Sequence, residues 1–132
     1  MSESFDATWL ALREPADAWA RDPALAERLV SLLPKRPHLV DLGAGTGSLF
    51  RWLAPRVGGA QAWTLVDGDA ALVEEAFDTI ARRAEGFSME IAYTDLRPLP
   101  GSAYRFEPDL RALAEASDVL VVAASGGEQS RG

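Results

Sequence analysis

The segment Asp41-Leu42-Gly43-Ala44-Gly45-Thr46-Gly47-Ser48 carries the residue types and the spacing that can do chemistry. Three glycines stand at alternate positions behind a short apolar run, and an acid stands just ahead of them. Such a turn lets a ligand rest against bare backbone N–H groups, which a side chain would block. Two more acids close later apolar runs: Asp67 in Leu65-Val66-Asp67-Gly68-Asp69, and Asp95 in Tyr93-Thr94-Asp95-Leu96. One carboxylate can accept two hydrogen bonds, so such acids suit hydroxyl pairs and amines. Other chemistries are closed off. The chain has no cysteine and a single histidine, His38. Disulfides, thiolate nucleophiles and thiolate metal sites are excluded, and no metal site is expected. No residue stands out as a catalytic acid, base or nucleophile.

The glycine spacing discriminates between ligands. The dinucleotide fingerprint is G-x-G-x-x-G. Counted from Gly43, its third glycine should fall where Ser48 stands. Asp41 would also repel a pyrophosphate, whereas it suits a ligand that brings a cationic amine. S-adenosyl-L-methionine has an ammonium, a sulfonium and no phosphate, so the local charge favours it over NAD. Asp67 supports a ribose in either case, because dinucleotide folds also carry an acid about 20 residues past the glycines.

The segment Asp41 to Gly47 resembles the first motif of the class I, seven-stranded S-adenosylmethionine-dependent methyltransferases, and the resemblance runs from about Leu39 to Ala124. It implies that Gly43, Ala44 and Gly45 line the methionine and ribose and that Asp41 faces the amine. It further implies that Asp67, with Gly68 beside it, takes both ribose hydroxyls. Asp95 would accept from the exocyclic adenine amine, and the Leu96 N–H would bond a ring nitrogen. The N-terminal helices look like the cap that covers the cofactor pocket in small-molecule members, with Arg13 set to meet the methionine carboxylate. The acceptor is then a small molecule that the sequence does not name. Two alternatives stay open: a non-catalytic module that holds S-adenosylmethionine or its demethylated product, and an NAD-binding Rossmann fragment.

Elements that position these residues follow from periodicity. Thr8 to Leu33 reads as two helices, separated near Pro15; Asp22-Pro23 is a strong start signal, an N-cap followed by proline at the first helical position. From His38 onward, short strands alternate with helices. His38–Leu42 is a strand, Leu49 to about Pro55 a helix, and Ala62–Asp67 a second strand. Ala70 to Glu85 is a helix with Val73, Phe77, Ile80 and Ala84 as its apolar stripe, flanked by Leu72 and Ala76. Ser88–Thr94 reads as a third strand and Asp109–Ala116 as a short helix. Val119–Ala123 is the continuously apolar type of strand that is buried in parallel sheets. This order predicts an α/β, three-layer Rossmann-like parallel sheet with right-handed crossovers, preceded by a helical cap at residues 5–33.

The pattern departs from the family at its end. The chain supplies four strands, expected in the order 3-2-1-4, whereas the resemblance implies seven. Residues 1–124 are thus expected to form the cofactor-binding half of the domain, with strands five to seven missing through truncation or a changed reading frame. Residues 125–132 have no apolar content and are expected to be disordered. Whether a chain this short is active is left open, and its fourth strand, an open apolar edge, is a route to self-association. The formal net charge of −7 repels phosphate backbones, so no nucleic-acid partner is expected. No apolar run reaches the roughly 20 residues that span a bilayer, and the N-terminus lacks a secretory pattern. A cytoplasmic location is expected.

Overall fold

The computed structural model describes residues 6–86 and 88–125, with ten elements in chain order. Two helices come first, α1 (Ala7–Ala20) and α2 (Pro23–Leu32). Both begin on aspartate caps: Asp6 accepts from Thr8 N–H at 3.1 Å, and Asp22 accepts from Ala24 N–H at 2.8 Å. The Asp22-Pro23 start is therefore where the sequence puts it. Pro15 does not break the first helix, because α1 runs through it. A proline inside a helix removes one backbone bond; around it Arg13 pairs with Asp17 within α1, and Glu14 binds Arg51 of the following β1-to-β2 region.

The alternating region follows as β1 (His38–Leu42), α3 (Ser48–Val57), β2 (Gln61–Asp67), α4 (Ala70–Gly86), β3 (Ala92–Tyr93), β4 (Arg105–Phe106), α5 (Leu110–Ala116) and β5 (Val119–Ser125). β1, β2 and β5 form a parallel sheet in the order β1-β2-β5. The α/β class with a parallel sheet is as expected. Its strand order is not. The strand that should lie beside β1 pairs instead with β2, Gln61 to Asp67 against Val119 to Ser125. The third strand leaves the sheet: only Ala92 and Tyr93 are extended, and they pair with β4. The two departures go together: β5 takes the edge of β2 that the third strand was expected to fill. Val119-Leu120-Val121-Val122 is apolar on both faces, whereas Ser88 to Thr94 alternates Met89, Ile91 and Tyr93 with Ser88, Glu90 and Thr94.

The core lies on one face of the sheet. Trp63 and Leu65 of β2 are each 1% exposed and pack with Phe50, Leu53 and Ala54 of α3, Ala76 of α4 and Ala26 of α2. The Phe50 and Trp63 rings meet edge-on, centroids 5.1 Å apart. Gln61 is buried in the same layer, where its amide donates to Ala54 O at 3.1 Å and its oxygen accepts from the Trp63 indole at 2.7 Å. α4 turns Leu72, Val73 and Ala76 inward, so the buried stripe lies one position round from the expected one and Phe77 is left 43% exposed. On the opposite face β1 presents Val40 and Leu42, 57% and 77% exposed. No helix among the described residues is long and apolar enough to cross a membrane. Ser125 closes β5, and the remainder of the tail expected to be disordered lies outside the described residues.

Candidate functional site

Parallel strands deliver their carboxyl ends to one rim of a sheet, and there the chain makes its tightest turn. Gly43, Gly45 and Gly47 take φ of 71°, 56° and 81°, the left-handed region that an L side chain enters only at a cost. At Gly47 an added Cβ would only make ordinary contact, 3.4 Å from Ile80 Cδ1 and 3.5 Å from Ala76 Cβ, so the left-handed φ is what calls for glycine. The loop is sewn to the end of β2. Val66 O accepts from both Gly43 N–H and Ala44 N–H, at 2.8 and 2.9 Å, and Ala44 O accepts from Gly47 N–H at 2.9 Å. Ala44 is buried under this stitching.

Asp67, at the end of β2, completes it. Its Oδ2 accepts from Gly45 N–H at 2.8 Å and its Oδ1 from Asp69 N–H at 2.9 Å. Gly68 lies exposed between those two, with open space around it. Asp41 sits on the helix-covered face of β1, in register with Leu65. Its Oδ2 is buried and has no hydrogen-bond partner among the described residues. Burial pushes the Asp41 carboxyl above its ordinary range; Arg21 opposes the shift, and the charge of Asp67 adds to it. Two carboxylates thus share the site with the glycine turn, and one holds an oxygen that the chain leaves unpaired. A buried acceptor of that kind fits a ligand that brings a cationic N–H donor.

The structure gathers Asp41, Gly43, Ala44, Gly45, Asp67 and Gly68 at one rim. It does not bring Asp95 and Leu96 there through the sheet, because both follow β3, which pairs with β4 instead. Both are exposed, and the Leu96 N–H donates to Asp95 Oδ1 at 2.6 Å. Arg13 points elsewhere: it pairs with Asp17 at 2.9 Å and lies over the Trp9 ring. Two clefts, one lined by Pro37, Gln61 and Ser117 and one by Glu85, Met89 and Tyr104, likewise hold none of the strand-end acids.

Sequence reasoning missed the groups that bind α1 to this loop. The Arg51 side chain is 4% exposed and grips Glu14 with two parallel bonds, Nε to Oε1 at 2.9 Å and Nη2 to Oε2 at 2.6 Å, while Nη1 donates to Thr46 O. The Arg51 bond holds the Glu14 carboxyl below the usual carboxylate range, against the opposing effect of burial. Arg21 reaches Ser48 Oγ at 3.0 Å. No local spacing announces these pairs, since 37 residues separate Glu14 from Arg51.

Comparison with known proteins finds partial relatives. No family model matches the chain, and no solved structure does. The chain is 51% identical over 51 residues to 2-ketogluconate reductase of Gluconobacter oxydans, a stretch covering 39% of this chain and 16% of that protein. It is 45% identical over 71 residues to the biotin biosynthesis bifunctional protein BioCD of Bordetella avium, covering 51% of this chain and 15% of that protein. The chain therefore spans about a sixth of the length of the curated relatives it matches. A parallel sheet with a glycine turn at the carboxyl end of its first strand is a Rossmann-like arrangement, and the two partial similarities accord with it without choosing a cofactor.

Proposed function

We propose that this chain forms the S-adenosyl-L-methionine-binding portion of a methyltransferase that acts on a small molecule. One observation carries the reading: the buried, unpartnered Oδ2 of Asp41 beside a glycine turn whose Gly45 N–H is already taken by a carboxylate. A pyrophosphate is held by free loop N–H groups at a helix N-terminus. Here the N–H groups of Gly43, Ala44, Gly45 and Gly47 all donate within the chain, and the Asp41 carboxylate stands just ahead of them. An ammonium is the better complement. Asp41 would accept from that ammonium, Gly43, Ala44 and Gly45 would let the ligand lie against the backbone, and Asp67, with Gly68, would receive ribose hydroxyls. Asp95 and Leu96, exposed after β3 and bonded to each other, stand apart from this rim, and the proposal gives them no part in it.

S-adenosylmethionine would supply a methyl group on sulfur, activated for in-line displacement. Such transfer gains much of its rate from positioning, and we assign no side chain as acid or base. The stretch shared with a biotin biosynthesis protein supports a biosynthetic small-molecule substrate. A cytoplasmic location and self-association through the outer edge of β5 belong to this reading too. The stretch shared with a reductase is what favours the rival, a nicotinamide dinucleotide in the same turn. Calorimetric titration with S-adenosylhomocysteine, NAD and NADP separates the two. Binding of S-adenosylhomocysteine alone is expected, and heat with a dinucleotide alone would overturn the proposal. A labelled methyl group passed to no member of an acceptor panel by a chain that binds the cofactor would favour the non-catalytic module.

A further inference from the structure

α1 lies over the glycine turn and is fixed to it by a small set of contacts. Leu10 Cδ1 stands 3.5 Å from where a Cβ on Gly45 would be, so its side chain roofs the middle of the turn. Four residues further along the same helix, Glu14 receives both arms of Arg51, and Arg83 of α4 stands 3.7 Å from it. Arg51 also donates to Thr46 O, a carbonyl of the turn itself, so one buried guanidinium joins the helix to the loop. A planar guanidinium fork is suited to this double duty, which a lysine could not perform.

We infer that Glu14 and Arg51 are a positioning pair that clamps α1 over the glycine turn and thereby sets how tightly the turn holds its ligand. The inference rests on the turn being the ligand site. Breaking the clamp frees α1 from a buried polar attachment and removes a constraint on Thr46. The sheet is left alone, because β2 and β5 make none of these bonds. Loss should therefore be local. A helix that must be reordered each time ligand binds costs affinity.

Glu14→Gln tests this while keeping the side chain's size, and Leu12→Gln, at a position 77% exposed on the same helix, serves as the surface control. Amide hydrogen exchange, followed by mass spectrometry without ligand, should show α1 losing at least about tenfold in protection in Glu14→Gln, with β2 unchanged and the control like wild type. Affinity for S-adenosylhomocysteine should fall about 5- to 20-fold in Glu14→Gln and stay unchanged in the control. Unaltered α1 exchange overturns the clamp, as does a uniform loss across α1 and β2, which would mark a purely structural ion pair. Altered exchange with unaltered affinity overturns the positioning role. A wild-type chain that binds no S-adenosylhomocysteine refutes the proposed function instead, and the exchange comparison alone then decides whether the clamp exists.

Discussion

Replacing Asp41 by asparagine keeps the shape of the side chain and removes its charge, and two opposite changes should follow. Burial is the main reason that the carboxyl is held above its ordinary range, with Arg21 opposing the shift and Asp67 adding to it. The folded chain therefore binds the Asp41 proton more tightly than the unfolded chain does, and the ionised form costs stability at neutral pH. Asparagine leaves an unpartnered polar atom in the same place, so what the substitution removes is the desolvation of the charge, about 1–3 kcal/mol. The lower end applies, because Asp41 as a whole is only half-buried. For a domain of this size, about 1 kcal/mol moves Tm by about 3–5 °C. Asp41→Asn should thus melt higher than the wild type at pH 7 by about that amount. As pH falls through the raised value of Asp41 the wild type recovers the difference, and below the ordinary aspartate value of about 3.9 the two should melt together.

Binding should move the other way. Hydrogen bonds to charged groups are worth about 1.5–3 kcal/mol, so loss of an ammonium partner lowers affinity for S-adenosylhomocysteine about 10- to 100-fold. Circular-dichroism melts across pH and titration calorimetry at pH 7 read the two effects separately. An unchanged Tm at pH 7 would mean that the Asp41 carboxylate suffers no penalty in the fold. A raised Tm with unchanged affinity would make Asp41 a merely structural acid, and the proposed function would lose the observation that carries it.

Three other perturbations test the rest of the rim. Alanine at Gly43 meets open space and at Gly47 ordinary contact with Ile80 and Ala76, so each pays mainly for a left-handed φ, about 1 kcal/mol. Urea unfolding should place both variants about 1 kcal/mol below wild type, and a much larger loss at Gly47 than at Gly43 would refute the contacts described there. Asp67→Ala removes both accepted N–H bonds, from Gly45 and from Asp69. It should cost about 1–3 kcal/mol in the same assay and expose the Gly45 amide to exchange; an unaltered Gly45 amide would show that Asp67 does not hold the turn. Finally, β5 pairs with β2 alone among the described strands. Sedimentation velocity should show association rising with concentration, and a monomer throughout would show that the open edge is harmless.

What the sequence disclosed and what it withheld divide along a physical line. The Asp22-Pro23 cap, the glycine turn after β1, Asp67 at the end of β2 and the apolar run of β5 are all local: each depends on neighbours within a few residues, and the chain obeys them. Strand order is not local. Whether β5 lies beside β1 or β2 is a competition between segments more than fifty residues apart that no periodicity encodes. The clamp from Glu14 to Arg51 is withheld for the same reason, since a charge on a helix reads as solvated until its partner from elsewhere arrives beside it. Proline misled for a related one. At Pro15 the local rule predicts a break, yet the helix passes through, and the neighbouring Glu14 is held by a partner distant in sequence. The site was therefore legible to the extent that it is a turn with its adjoining strand ends. Its roof was not, because it depends on how distant segments compete for the same surface.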